Sequence, residues 1–213
     1  MSPRLKLWLP ITVLYTLFVV WYTDLGGPLN EKEIADFMVK MESRASNEEG
    51  RQRIEEFMRQ DTGRQFFMVN IVDYADNPPD VAGAEPGESA QQLMGRYMEH
   101  MIPALVSRAG HPIVMGNAIN DAMDIVGIEG VASARHWEMG ALMRYRSRRA
   151  FMDIIANADQ KDSHRYKVAA LDKTIAFPIE TQFNLGDPRV LLGLIFLALA
   201  ALVDAFLLRR APQ

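Results

Sequence analysis

Cysteine is absent from all 213 residues. Without it the chain builds no disulfide scaffold, thiolate metal site, iron–sulfur cluster, cysteine nucleophile or thioether-bound haem. Basic residues are in the minority, 23 against 27 acidic ones, and the formal charge of −4 lacks the footprint of a nucleic-acid-binding protein. Histidine is sparse. His100, His111, His136 and His164 form no His-x-x-His or His-Glu-x-x-His spacing, so no metal site is expected, and nothing selects a haem ligand among them. The chain has no glycine-rich phosphate loop after a strand, no Gly-x-Ser-x-Gly and no paired-carboxylate signature. No cofactor is expected. Repeats and low-complexity tracts are missing too.

What the chain does have is apolar residues, 49% of the total, with the densest runs at its two ends. That content excludes a wholly disordered chain, and the length allows one domain, or one domain plus appendages. Residues 7–23 carry no charge over seventeen positions, at the short edge of the ~17–25 that cross a bilayer as a helix. Lys6 extends the run by snorkelling. Trp8 near one end and Trp21 with Tyr22 at the other are the rings expected at membrane interfaces. Pro10 falls in the first turn, where a missing N–H costs little. The rival reading is a cleaved signal peptide with Arg4 and Lys6 as its basic start, but Thr-Asp-Leu-Gly-Gly-Pro follows in place of an Ala-x-Ala site.

A second run, 190–208, is rich in Leu and Ala and is bounded by Arg189 on one side and by Arg209 and Arg210 on the other. Asp204 lies inside it, about one turn from the Arg209 end. There it can reach headgroups, pair with Arg209 or Arg210, or meet a partner helix. The tails carry Arg4, Lys6, Arg209 and Arg210, whereas the chain just inside the runs has Asp24, Glu31 and Asp187 beside Lys32 and Arg189. The positive-inside bias then puts both termini in the cytoplasm. For a bacterium this means the inner membrane, with residues 24–188 in the periplasm.

Between the runs, Asn30 and Glu33 form a capping-box pattern. Ile34, Phe37, Met38 and Met41, then Ile54, Phe57 and Met58, repeat at helical spacing and predict helices over about 31–42 and 48–60. Residues 66–74 are a near-continuous apolar and β-branched strand, and 75–88 a proline- and glycine-rich loop. A helix over 89–109 presents Leu93, Met94, Tyr97, Met101 and Leu105 on one face and is interrupted by Pro103. Strands are predicted over 111–118 and 137–145, a helix capped by Ser147, a helical piece over 163–171, and a closing edge strand over 174–183 containing Pro178. The predicted organisation is a tail and membrane helix over 1–24, a helical region over 25–62, an α/β domain over 63–186, and a second membrane helix and tail over 187–213.

The order strand, helix, two strands, helix, strand is the split βαβ or ferredoxin-like plan, an α+β fold with an antiparallel four-stranded sheet. Helices cover one face of such a sheet. The other face needs a second sheet, often from a second copy of the chain. With the strands placed, the region resembles the dimeric α/β-barrel superfamily and, within it, DUF1330-like domains. The likeness rests on Phe-Phe-Met-Val-Asn-Ile-Val at 66–72, Ala-Gly-His-Pro-Ile-Val-Met-Gly at 109–116, Met-Arg-Tyr-Arg-Ser-Arg-Arg-Ala-Phe at 143–151 and Ala-Ala-Leu-Asp-Lys-Thr-Ile-Ala-Phe-Pro-Ile-Glu at 169–180. That superfamily includes cofactor-free monooxygenases, haem-dependent enzymes, isomerases and ligand sensors. No catalytic motif unites them, so the resemblance implies a fold and no catalytic residue.

Three residues are candidates for a pocket. Asn70 is the odd polar residue in the first strand, and Tyr97 and His100 border the apolar stripe of the next helix. Arg144, Arg146, Arg148 and Arg149 form the densest basic cluster, expected to be a solvated rim. The expected function is a non-catalytic accessory subunit of a bacterial membrane-protein complex, of respiratory or photosynthetic kind. Its expected partners are the lipid bilayer and other membrane subunits or a second copy. The alternative is a membrane-bound enzyme or binder acting on a small apolar or quinone-like molecule.

Overall fold

The structure, a computed structural model, describes residues 1–42, 48–128, 130 and 132–208. Along the chain run α1 (Pro3–Tyr22), α2 (Glu31–Met41), α3 (Glu48–Arg59), β1 (Phe66–Tyr74), α4 (Ala90–Val106), β2 (His111–Asn117), β3 (Met139–Tyr145), α5 (Arg148–Ile155), α6 (Ala158–Ala170), β4 (Leu171–Glu180) and α7 (Pro188–Val203). They form two units, one of residues 1–25 with 181–213, the other of residues 26–180.

In the first unit, Pro3–Tyr22 and Pro188–Phe206 are each long and apolar enough to cross a membrane. They pair antiparallel. Tyr15 donates its hydroxyl to the Arg189 carbonyl at 2.8 Å, and Arg189 donates to Thr23 Oγ1 at 3.1 Å. Gly193 makes room for this: a Cβ there would lie 2.9 Å from the Tyr15 hydroxyl. Asp187 caps α7 by accepting from the Arg189 amide, with Pro188 at the first helical position. At the opposite ends Arg4 Nε stands 2.8 Å from Asp204. The Asp204 partner is therefore Arg4. Arg209 and Arg210 lie outside the described residues.

The second unit carries the sheet, in order β2-β3-β1-β4 with every neighbour antiparallel. β1 spans the residues its apolar run predicts. β4 begins and ends three residues earlier than predicted, because Leu171 and Lys173 already pair with Tyr74 and Asp73. It is an edge strand, as Pro178 requires. The capping boxes at Asn30–Glu33 and Ser89–Gln92 both close. α2 and α3 put Ile34, Phe37, Met38, Met41 and Met58 into one core with Met152 of α5. A second core joins Phe66, Met101, Leu105, Tyr145 and Ile154. Burying each such side chain contributes ~1.5–3 kcal/mol.

The basic cluster is not a solvated rim. Arg144 is 1% exposed and donates to Gln65 Oε1 at 2.9 Å and to the Ala109 carbonyl. Arg148 donates to the Phe57 carbonyl and stacks 4.8 Å over the Phe57 ring. Arg149 pairs with Glu33 at 2.7 Å. These guanidiniums tie β3 and α5 to the turn after α4 and to α2 and α3, because their forks find backbone carbonyls that no helix or strand satisfies.

Candidate functional site

The sheet register explains why a cavity exists. Asn70 stands at the centre of β1, flanked by Ala141 on β3 and Ala176 on β4, and Ala141 is flanked in turn by Met115 on β2. Two alanines beside an amide leave this row low, while the rows on either side carry Met68 with Met143 and Val72 with Met139. Above that floor α4 turns Met94, Tyr97, Met98 and Met101 inward, and α6 brings His164 and Lys167. The result is a cavity of about 280 Å³, close to the lower end of the ~300–1,000 Å³ seen for small-molecule sites. Seven methionines line it, with Tyr145, Phe151 and Ile155. Unbranched thioethers adapt to irregular apolar guests.

Its polar groups are few. Asn70 donates one amide hydrogen to the Met68 carbonyl at 3.1 Å. Its oxygen, the Tyr97 and Tyr145 hydroxyls and the Lys167 amine have no hydrogen-bond partner among the described residues. Lys167 Nζ lies 5.7 Å from the centre of the Tyr97 ring, and the His164 ring meets that ring edge-on at 6.4 Å. Burial pushes the Tyr97 phenol up to about 12 and raises Tyr145 further, with the Tyr97 charge adding to the Tyr145 shift. The same desolvation lowers Lys167. The phenols therefore stay protonated at neutral pH and work as hydrogen-bonding groups, far from the pKa a general base needs.

No protein-family model matches this chain, and no curated protein does. Among solved structures, the RPA0582 protein of Rhodopseudomonas palustris, a protein of unknown function, superposes with a TM-score of 0.51. It is 16% identical, and the match covers 62% of this chain and 94% of that one. Its methylated form gives a TM-score of 0.52 at 16% identity over 64% and 93% of the two chains. A third, At3g17210 from Arabidopsis thaliana, reaches a TM-score of 0.35 and is too distant to argue from. The likeness to RPA0582 is one of α/β fold.

Of the three pocket candidates, Asn70 and Tyr97 come together and His100 does not. Taken over Met94, Tyr97, Met98 and Met101, the inward face of α4 is centred about 50° past Tyr97, and at 100° per residue His100 is rotated about 110° away from it. It is exposed, with Nδ1 3.0 Å from the Arg96 carbonyl. His164 and Lys167, three residues apart on α6, occupy the rim instead. Tyr145 and Lys167 are the members that sequence reasoning missed. Tyr145 falls at the end of a predicted strand and carries no signal of its own there, and a lone lysine on a polar helix gives none until α6 is laid against α4.

A more polar hollow adjoins the cavity through Tyr74 and is lined by Asn117, Asp121, His136, Trp137 and Glu138. His136 Nδ1 is 3.0 Å from Asp121, and its Nε2 is 3.7 Å from Asp73. The Asp121 hydrogen bond raises the His136 pKa above its ordinary value. Among the described residues no group of three His, Asp or Glu side chains is placed to hold a metal. At the apolar helices, Trp21 is exposed, whereas Tyr22 is buried with the Arg189 guanidinium 5.6 Å over its ring. Trp8 is half-buried on α1.

Proposed function

We propose that this chain is a membrane-anchored small-molecule binder, its α/β domain being of the ferredoxin-like, dimeric α/β-barrel type. The guest is a small apolar or quinone-like compound. The observation that carries the reading is the convergence of Asn70, Tyr97, Tyr145 and Lys167, each with an unpaired polar atom, on one apolar cavity. Polar atoms that open on an apolar cavity are served by water until a ligand with better-placed partners displaces it. The ferredoxin-like assignment is supported by the strand order β2-β3-β1-β4 with every neighbour antiparallel. Kinship with DUF1330-like domains stands on the four sequence segments alone.

The anchoring reading puts both apolar helices across a bacterial inner membrane. The basic tails hold the termini in the cytoplasm, and the domain lies in the periplasm. Val114, Ile175, Phe177 and Ile179 leave the second face of the sheet apolar and exposed, which favours a second copy of the chain as its cover. The same face supports a second reading, a non-catalytic accessory subunit seated on another membrane protein of respiratory or photosynthetic kind.

One experiment separates the two. The protein is extracted from its own membranes in a gentle detergent and weighed intact by native mass spectrometry. Two copies of the chain with a retained small organic molecule are the expected result. A stoichiometric set of other membrane subunits without that molecule would replace the first reading with the second, and a bare monomer would overturn both.

A further inference from the structure

The helix–sheet cavity is lined by one permanently basic side chain, Lys167, and by no carboxylate. Among the described residues Lys167 forms no ion pair, and its ammonium lies over the face of the Tyr97 ring. The walls around it are thioether, aromatic and aliphatic. Half-buried among them, the ammonium is partly desolvated with no counter-charge beside it, and this burial lowers its basicity. Lys173 on β4, by contrast, has a carboxylate partner, standing 2.9 Å from Asp73. The missing counter-charge is the unexplained feature of the cavity.

Resting on the reading of the cavity as a ligand site, we infer that its guest is an apolar monocarboxylate, with the carboxylate on Lys167 and an aryl or alkyl body along the methionines. Orientation follows from the other polar groups. Asn70 has spent one amide hydrogen on Met68, and its neutral amide, part donor and part acceptor, offers a carboxylate no charge to match the ammonium of Lys167. The acid head therefore belongs at the α6 end and the apolar body over the Ala141–Asn70–Ala176 row. A neutral guest of the same shape fills the volume but leaves the ammonium unpaired. A charge-assisted hydrogen bond to carboxylate is the strongest contact this cavity can offer. Charge, more than shape, sets the specificity.

The test uses the full chain in lipid nanodiscs with ¹³C-methyl methionine. The probes are 4-phenylbutyrate and 4-phenyl-1-butanol, an acid and an alcohol of matched shape, with free concentrations fixed against empty nanodiscs. Wild-type protein is expected to bind the acid at least about tenfold more tightly than the alcohol at neutral pH, read from the cavity methionine signals, with Met1 as the internal control. Lys167→Met is expected to bring the two probes within about twofold while the alcohol affinity holds, and Lys167→Arg to keep the preference. A wild-type protein that does not prefer the acid overturns the inference even if a variant fails to fold, and so does a preference that survives Lys167→Met. Should neither probe move a cavity signal, the cavity is not a ligand site and the underlying reading falls with it.

Discussion

Lys167 Nζ stands 5.7 Å from the centre of the Tyr97 ring, and burial drives both side chains toward their neutral forms. For the amine this means a folded-state pKa below the unfolded value of about 10.4. Between those two values the unfolded chain binds more protons, so stability rises with pH across that window and is lowest below it. Lys167→Met is therefore expected to be neutral or stabilising at pH 7, by roughly 0–2 kcal/mol. The gap to wild type should close as pH approaches 10.4. Chemical unfolding of both proteins at several pH values checks this, and a variant less stable by more than about 1 kcal/mol at pH 7 would refute it.

Arg144 is the structural counterpart of Lys167, a buried cation whose hydrogen bonds are made. Lys167 reads as a site and Arg144 as a strut. Arg144→Met removes the donors serving Gln65 and the Ala109 carbonyl and is expected to cost about 2–4 kcal/mol. A shift in denaturant midpoint reports it. A loss below about 0.5 kcal/mol would mean that water serves those acceptors equally well.

Two glycines should respond in opposite senses to alanine. Gly63 has φ +72°, and a Cβ there would lie 2.7 Å from the Gly27 carbonyl carbon, so Gly63→Ala is expected to cost about 2 kcal/mol or more. Gly95 lies within α4 with nothing within 4 Å of its missing Cβ, so Gly95→Ala should stabilise by about 0.5–1 kcal/mol. Thermal melts of the two variants settle both signs.

The 2.8 Å contact between Arg4 and Asp204 joins chain positions 200 residues apart. A double-mutant cycle with Arg4→Ala and Asp204→Ala in nanodiscs is expected to show a coupling of about 0.5–1 kcal/mol. Additive effects would mean that the two ends do not meet in lipid.

Much of this architecture is legible in the sequence where a local pattern decides the outcome. β1 is a dense apolar run between polar segments, and its limits follow from that alone. Asn30 with Glu33 announces a helix start through its own hydrogen-bonding chemistry. β4 is set by its ladder with β1, so an argument from apolar density places it three residues late. Asn70 is visible as a polar residue on a strand face, and Tyr97 as a member of a helical stripe. His100 fails because bordering a stripe in sequence still leaves it about 110° away in helical phase. Lys167 and Arg144 are invisible for one shared reason: an element distant in sequence covers Arg144 fully and Lys167 in part, and a lone basic residue in a polar stretch reads as solvated.

The most direct measurement is an experimental density map of the protein purified from its own membranes, at a resolution that shows side chains. The account predicts non-protein density between α4 and the sheet, reaching from the Ala141–Asn70–Ala176 row to Lys167 and touching the Tyr97 or Tyr145 hydroxyl. Methionine side chains folded inward to fill that space, with no foreign density among them, would contradict it.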